Sequence, residues 1–218
     1  MRIPLRIEGF KFFLGTAMTL GVASFFYRQF GWGWLLAVIV LLAAFFVQCL
    51  VFFRDPERTP DEAGEDVILS PADGTVMDVK EVREPGHMKG AARQVNIFLS
   101  VFNVHVQRAP LAGRVEFLRH TPGKFLMAFD PRAENENEQN WFGLRCGGHP
   151  VLVKQIAGAI AKRIVVYKRE GEPAARGERI GMIQFGSQVD LLVPPHWDIT
   201  VKKGDKLYGG KTVIGRVR

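Results

Sequence analysis

Two cysteines in 218 residues leave little room for disulfide or metal chemistry. Cys49 stands inside an apolar run and Cys146 far from it, a spacing that makes neither a disulfide framework nor a zinc site and is compatible with a reducing cytosol. The five histidines, His87, His105, His120, His149 and His196, show no H-x-H, H-E-x-x-H or clustered Cys/His spacing, so no metal site is expected. Solenoid repeats and low-complexity tracts are missing too. So is a basic domain with a nucleic-acid stripe. The net charge is +7, but residues 1–53 carry +3 and residues 201–218 carry +5, which leaves the stretch between at −1. Positive charge confined to the two ends suits an anionic lipid surface, and equally a solvated basic tail.

Charge of either sign is absent from Gln29 to Phe53. Residues 31–53 read GWGWLLAVIVLLAAFFVQCLVFF, long enough to cross a hydrocarbon core of about 30 Å, with Gln48 as the one strongly polar side chain. The earlier run Phe12–Phe26 (FFLGTAMTLGVASFF) reaches only about 22 Å at about 1.5 Å per residue, so it spans marginally or is re-entrant. No A-x-A-like cleavage site follows the second run, where FFRDPERTP stands instead, and this argues against a signal peptide. Arg2, Arg6 and Lys11 precede the pair, Arg54 and Arg58 follow it, and the connecting turn carries only Arg28. Positive-inside counting then predicts a hairpin with both ends, and the rest of the protein, on the cytoplasmic side of the cell membrane. A buried apolar helical pair in a soluble fold is the alternative, disfavoured because so long a charge-free stretch is hard to bury in a small chain.

After the hairpin (1–53) comes a charged, Pro-containing connector, RDPERTPDEAGE at 54–65, which marks a domain boundary. From 66 to 218 short apolar or alternating runs recur, among them Val67–Leu69, Thr75–Val79, Val95–Val101, Val104–Gln107, Arg114–Leu118, Val151–Ile156, Ile180–Ile183 and Val189–Val193, punctuated by Asp73-Gly74, Gly147-Gly148 and Gly204-Asp205. The predicted fold is mainly β (α+β): a compact β-barrel or sandwich with an N-terminal hydrophobic helical hairpin. Residues 123–140 read as a non-strand insertion in which Lys124–Phe129 could start a short helix. The turns PADGTV at 71–76 and VKKGDKL at 201–207 are similar to those of lipoyl- and biotinyl-carrier barrels, which supplies a rival reading.

Three residues carry chemistry if brought together. Ser187 follows Gly186 at a junction between strand-like runs, where it also fits an ordinary turn. Glycine tolerates strained backbone angles, so the Ser187 hydroxyl could reach the Gly186 carbonyl and convert the amide to an ester. β-Elimination and hydrolysis would then leave a pyruvoyl group. Such a step needs a base and a group to orient it. His105, in a strand-like stretch, is a candidate base that also fits a hydrogen-bonded core histidine, and Asp73 also fits a plain turn-former.

The surroundings of all three resemble the phosphatidylserine decarboxylase proenzyme family, in its short, pyruvoyl-dependent branch. The matching pieces are FFRDPERTP at 52–60, SPADGTV at 70–76, SVFNVHVQRAP at 100–110, GKFLMAFDPRAENENE at 123–138, QIAGAIAKRIVVY at 155–167 and GERIGMIQFGSQVDLLVP at 177–194. The resemblance implies a triad of Asp73, His105 and Ser187 for self-cleavage between Gly186 and Ser187, giving a β chain 1–186 and an α chain 187–218. It also implies that Ser187 becomes the pyruvoyl group, which forms a Schiff base with phosphatidylserine, so that phosphatidylethanolamine and CO2 form with no external cofactor. His105, whose imidazolium titrates near neutrality, is the economical proton donor to the carbanion. The implied partners are phosphatidylserine in the bilayer, the membrane and the two fragments of one precursor, with a homo-oligomer left open and no nucleic acid. Two features depart from the longer branch: the serine context is F-G-S-Q, and the second histidine found there three residues before the triad histidine is here Phe102. Leu126–Phe129 is a candidate shallow membrane contact or a packed helix face, and Arg108 a candidate ligand for carboxylate or phosphate or a surface arginine. The rival is a membrane-anchored carrier barrel without decarboxylase activity, although lysine in Met-Lys-Met or Asp-Lys-Ala context does not occur. Denaturing electrophoresis of freshly expressed protein separates the two: self-cleavage gives two pieces, the smaller lacking a free amino terminus, whereas a carrier gives one intact chain with added mass on a lysine.

Overall fold

The computed structural model describes residues 5–127, 130, 132–158, 163–184 and 187–218. The chain divides into two compact units, Met1–Glu57 and Arg58–Arg218.

The first unit is a helical pair, α1 (Phe10–Phe30) and α2 (Gly33–Phe52). Gly31, at φ +65°, ends α1 in the left-handed region, and its N–H donates to the Tyr27 carbonyl; a side chain there would be strained. With 21 residues α1 is about 31 Å long, more than the run 12–26 suggests, because the helix continues through Arg28 in its last turn. Both helices are long and apolar enough to cross a membrane. Ala23, Leu35, Cys49 and Phe52 are buried, while Met18, Val22, Phe25, Val40, Leu41 and Val47 are exposed. A helix pair that is apolar on its outward face as well as its seam suits a lipid surround.

The second unit is built of β1 (Val67–Leu69), β2 (Gly74–Glu84), β3 (Gly90–Leu99), β4 (Val106–Arg108), β5 (Gly113–Thr121), the one-turn α3 (Ala133–Glu136), β6 (Gln139–Cys146), β7 (His149–Ala157), β8 (Arg163–Val166), β9 (Pro173–Ala174), β10 (Arg179–Gln184), β11 (Ser187–Val193), β12 (Asp198–Ile199), β13 (Lys206–Leu207) and β14 (Val213–Arg216). The mainly β expectation holds. One curled sheet runs β13-β2-β3-β11-β7-β6-β5-β9, and two smaller sheets run β4-β10-β8 and β1-β14-β12. Alternation along the strands sends Val95, Ile97 and Leu99 of β3, Val189, Leu191 and Val193 of β11, and Val151 and Val153 of β7 into one core with Ile68, Ile180, Ile183 and Ile214 of the smaller sheets. The opposite face of the large sheet carries a smaller cluster, Met88, Ala92, Leu152 and Leu192.

Two local expectations need correction. The insertion 123–140 gives way to β6 at Gln139, a strand whose polar start hides it from a pattern search. No helix starts at Lys124: the one-turn helix is at Ala133–Glu136, and Lys124 bridges Asn137 instead. The reason is Asn137, whose side chain takes both the N–H and the carbonyl of Leu126, groups that a helix would use along its own axis. Ala128 and Phe129 lie outside the described residues.

Gly74 opens β2 where it crosses closest to β3. A Cβ there would stand 2.3 Å from the Phe98 carbonyl oxygen. Gly74→Ala is therefore expected to force β2 from β3 beside Asp73, at a cost of about 1–3 kcal/mol, read as a fall in Tm of several degrees with faster amide exchange at Thr75 and Phe98; an unchanged Tm would show that the strands separate there without strain.

Candidate active site

The pairing register gathers the sequence's candidates at one end of the large sheet. β11 runs between β3 and β7, with Ser187 opposite Leu99 on one side and Ala157 on the other. Thr75 lies opposite Phe98, so Asp73, two residues earlier, comes to the same end, two strands from Ser187 and about 10 Å across at ordinary strand spacing. His105 arrives from the β4-β10-β8 sheet. Its carbonyl accepts the Ile183 N–H at 3.1 Å, and β10 runs on to Gln184, with residues 185 and 186 leading into Ser187. Gly186 itself lies outside the described residues.

His105 is fully buried. Its Nδ1 is 2.9 Å from the carbonyl oxygen of Asn103. A carbonyl only accepts, so Nδ1 carries the hydrogen and Nε2 of the neutral ring carries the lone pair. Asn103 is fixed in turn by a tight loop: its Oδ1 accepts from the N–H (2.9 Å) and hydroxyl (2.8 Å) of Ser100. A chain of buried carboxamides holds the backbone of the histidine. Gln107 Nε2 donates to the His105 carbonyl (2.9 Å), Gln155 Nε2 to Gln107 Oε1 (2.8 Å), and Asn140 Nδ2 to Gln155 Oε1 (3.2 Å). Leaving one such buried amide unpaired costs about 1–3 kcal/mol, so the chain fixes His105 relative to β6 and β7.

Asp73 is buried and doubly held. Oδ1 accepts the Gly209 N–H at 2.8 Å and Oδ2 accepts Arg58 Nη2 at 2.9 Å, while the Arg58 guanidinium lies 5.4 Å over the Tyr208 ring. A carboxylate aligning the histidine is what the triad scheme asks for; here the Asn103 carbonyl aligns Nδ1, and the carboxylate binds Arg58 and Gly209. Arg108 is buried rather than a surface residue, and donates to the Gly177 carbonyl at 3.1 Å. Phe102, at the position of the missing second histidine, is 64% exposed. Cys146 offers no nucleophile, since burial pushes its thiol up to about 12. Among the described residues no three His, Cys, Asp or Glu side chains are grouped to hold a metal.

Comparison with known proteins decides the family. The phosphatidylserine decarboxylase family model matches residues 42–215. The phosphatidylserine decarboxylase proenzyme of Symbiobacterium thermophilum is 44% identical over 220 residues, covering 100% of this chain and 98% of its own. This chain belongs to the phosphatidylserine decarboxylase family. The proenzyme of Carboxydothermus hydrogenoformans is likewise 44% identical over 223 residues, covering 100% of both chains, and that of Salinibacter ruber is 44% identical over 191 residues, covering 85% of this chain and 83% of its own.

Within this family member several supporting residues escaped the sequence reading: Arg58, Asn103, Gln107, Asn140, Gln155 and Asp190. One signal was available, namely carboxamides at inward positions of apolar strands, as Gln155 in VLVKQIA and Gln107 in VHVQR. Asp190 is the most extreme. It is fully buried in β11, where Oδ1 accepts from Gln188 Nε2 (2.9 Å) and Oδ2 from Gln94 Nε2 (3.0 Å). Gln94 Nε2 also reaches Glu134 of α3 at 2.8 Å, and Lys80 Nζ donates to Glu134 at 3.0 Å. Burial pushes Asp190 up to about 7, against the Gln188 carboxamide and with repulsion from Glu134. The folded protein thus holds this proton more tightly than the unfolded chain, whose aspartate titrates near about 3.9, and the contribution to stability is lost as pH rises through about 7. Asp190→Asn is expected to flatten the decline in Tm between about pH 4 and pH 7 by a few degrees; an unchanged slope in thermal melts would assign the effect to another group.

Proposed function

We propose that this chain is a self-processing, pyruvoyl-dependent phosphatidylserine decarboxylase, a carboxy-lyase that forms phosphatidylethanolamine and CO2. Family membership over nearly the whole chain supports the decarboxylase and leaves nothing in favour of the carrier barrel. The observation that carries the self-processing is His105: buried, with Nδ1 against the Asn103 carbonyl, which leaves Nε2 of a neutral ring as the proton acceptor, on the strand pair that leads to the Gly186–Ser187 junction.

The reaction at the junction needs only the chain and one water, and releases ammonia. His105 Nε2 takes the hydroxyl proton of Ser187, Oγ bonds to the Gly186 carbonyl carbon, and the amide nitrogen leaves with a proton to give an ester. Loss of the α proton of Ser187 then breaks the Cβ–O bond. Gly186 departs as a carboxylate, and the dehydroalanine left at position 187 takes up water and releases ammonia. Asp73, through Gly209 and Arg58, is the proposed positioning carboxylate that joins segments from both sides of the cut.

The surroundings of Ser187 fit a pyruvoyl group. The new terminus would stay hydrogen-bonded between β3 and β7, so its position is set by strand pairing on both sides rather than by the broken peptide. When present, that group supplies a ketone conjugated to an amide carbonyl, an electron sink for the charge left by CO2. The chain's own part is to hold the substrate head group at the sheet end and to return a proton to the α carbon, and His105 is the proposed donor. After cutting, the fragment 187–218 still contributes β11 at the centre of the large sheet, β13 beside β2 and β14 beside β1, so the two pieces stay one molecule. The apolar helical pair supports membrane association, and the flanking arginines and lysine place the second unit on the cytoplasmic face in this reading. The proposed functional regions are the hairpin 1–53, the connector 54–65 and the catalytic domain 66–218.

Ser187→Ala should remain one uncut chain without decarboxylase activity in gels and 14CO2 release assays. His105→Ala should slow cutting by at least about 100-fold, the lower range of acid–base catalysis. Decarboxylation of phosphatidylserine by the Ser187→Ala protein would end the pyruvoyl assignment, and prompt cutting in His105→Ala would remove His105 as the base.

A further inference from the structure

At the Ser187 end of the large sheet, the exposed surface carries large apolar side chains and exposed arginines. Two connections border it. The turn 100–103 carries Phe102, 64% exposed, and the segment 122–127 carries Phe125, 38% exposed, and Met127, 55% exposed. The register shows that the second segment belongs to this end: β5 finishes at Thr121, opposite Gln139, which lies opposite Ile156, which lies opposite Gln188, the neighbour of Ser187.

The segment's backbone is anchored firmly. Asn137, itself 1% exposed, accepts from the Leu126 N–H at 2.8 Å and donates to the carbonyls of Leu126 (2.9 Å) and Ala157 (2.7 Å), and Ala157 is the residue opposite Ser187. The Lys124 N–H donates to the Glu136 carbonyl at 2.7 Å, and the Glu138 N–H to the Lys124 carbonyl at 2.9 Å. Large apolar side chains on a pinned backbone have little freedom to fold back into the core, so they face whatever lies beyond the sheet end. The cations at the same end are exposed. Arg119 stands two residues before the end of β5, its guanidinium 5.6 Å over the Trp141 ring, and Arg163 lies opposite Gln184 at the end of β10; among the described residues neither has a carboxylate partner.

We propose that this rim, formed by Phe125 and Met127 with Arg119 and Arg163, docks the catalytic unit onto an anionic bilayer surface and admits the lipid head group beside Ser187. The proposal rests on the reading of the substrate as a diacyl lipid. Acyl chains of that kind remain in the bilayer, so the sheet end must meet the interface for the head group to arrive. Apolar side chains that enter the interface beside exposed guanidinium groups match an anionic lipid surface in both polarity and charge. This contact is additional to the tether supplied by the helical pair.

Nitroxide labels on the full-length protein in nanodiscs of phosphatidylcholine and phosphatidylglycerol test it without relying on activity. Native Cys49 and Cys146 are buried, so unsubstituted protein gives the labelling background. Labels at Phe125→Cys and Met127→Cys should collide more with oxygen than with a water-soluble nickel chelate, whereas a label at exposed Ala91→Cys, at the far end of β3, should show the reverse. Equal nickel access at all three sites would overturn the docking surface. Protection of 125 and 127 that persists in lipid-free detergent at a protein concentration that dimerises the chain would also overturn it, in favour of a second copy. In the processed enzyme, Phe125→Asp with Met127→Asp should lower the ratio of vesicular to monomeric short-chain phosphatidylserine turnover by about tenfold; an unchanged ratio counts against docking. Unsubstituted enzyme that turns over neither substrate would instead refute the lipid decarboxylase reading, while the label positions would still report on the surface.

Discussion

Residue 187 begins a strand that is hydrogen-bonded along both edges, to β3 from Leu99 to Arg93 and to β7 from Ala157 to Leu152. The proposed chemistry depends on that pairing. A cut immediately before an ordinary loop would release a floppy end, and a reactive ketone there would sample many positions. Before β11, a cut removes one covalent link and leaves the ladder and the buried Val189, Leu191 and Val193 in place. Each such aliphatic side chain contributes roughly 1.5–3 kcal/mol through burial, and β13 and β14 attach the same fragment at two further sheet edges. The fragment's position is therefore a property of the fold rather than of chain continuity.

The proposed base is governed by a different kind of constraint. A histidine buried in an apolar core is useful only in a defined tautomer, and here the definition comes from a backbone carbonyl, that of Asn103, in a loop closed by Ser100. The chain from Asn140 through Gln155 and Gln107 to the His105 carbonyl crosses between the large sheet and the β4-β10-β8 sheet. Buried carboxamides are costly unless every member is paired, so the two sheets can approach each other in few ways. Asp73 and Arg58 tie the connector segment to the Tyr208–Gly209 turn in the same manner, through a buried charge pair that loses far more from removal of one partner than it gains over an apolar replacement.

The two units differ in where their apolar side chains lie. The helical pair is apolar outside, with its one left-handed residue at the Gly31 turn, whereas the β unit is apolar inside and polar over most of its surface. The proposed rim beside Ser187 is an apolar exception, placed where a substrate with a water-soluble head and insoluble tails would be met. On this reading a lipid enzyme needs both a tether and a port, and they are built from different parts of the chain.

Much of the architecture was legible in the residues themselves. A charge-free run of hydrocarbon side chains has few fates, and period-two alternation between Gly, Pro and Asp turns identified most strands, including β10 and β11 around the serine. Ser187, His105 and Asp73 were ambiguous one by one and were joined only by the family resemblance of the segments around them, because segment order survives in a linear string. What the string could not carry was pairing. β6 was missed because its first residues, Gln139 and Asn140, look like loop until they are seen buried, and the helix expected at Lys124 was displaced by Asn137, a residue eleven positions beyond Leu126. The partners of His105 and Asp73 were equally invisible, since Asn103, Gln155, Arg58 and Gly209 become neighbours only when strands distant in sequence lie side by side. Composition and periodicity determined which segments were helix, strand and membrane-seeking, because those are properties of a few consecutive side chains; the tertiary structure alone decided which buried polar groups satisfy one another, because hydrogen bonding in a core is a matter of register between strands.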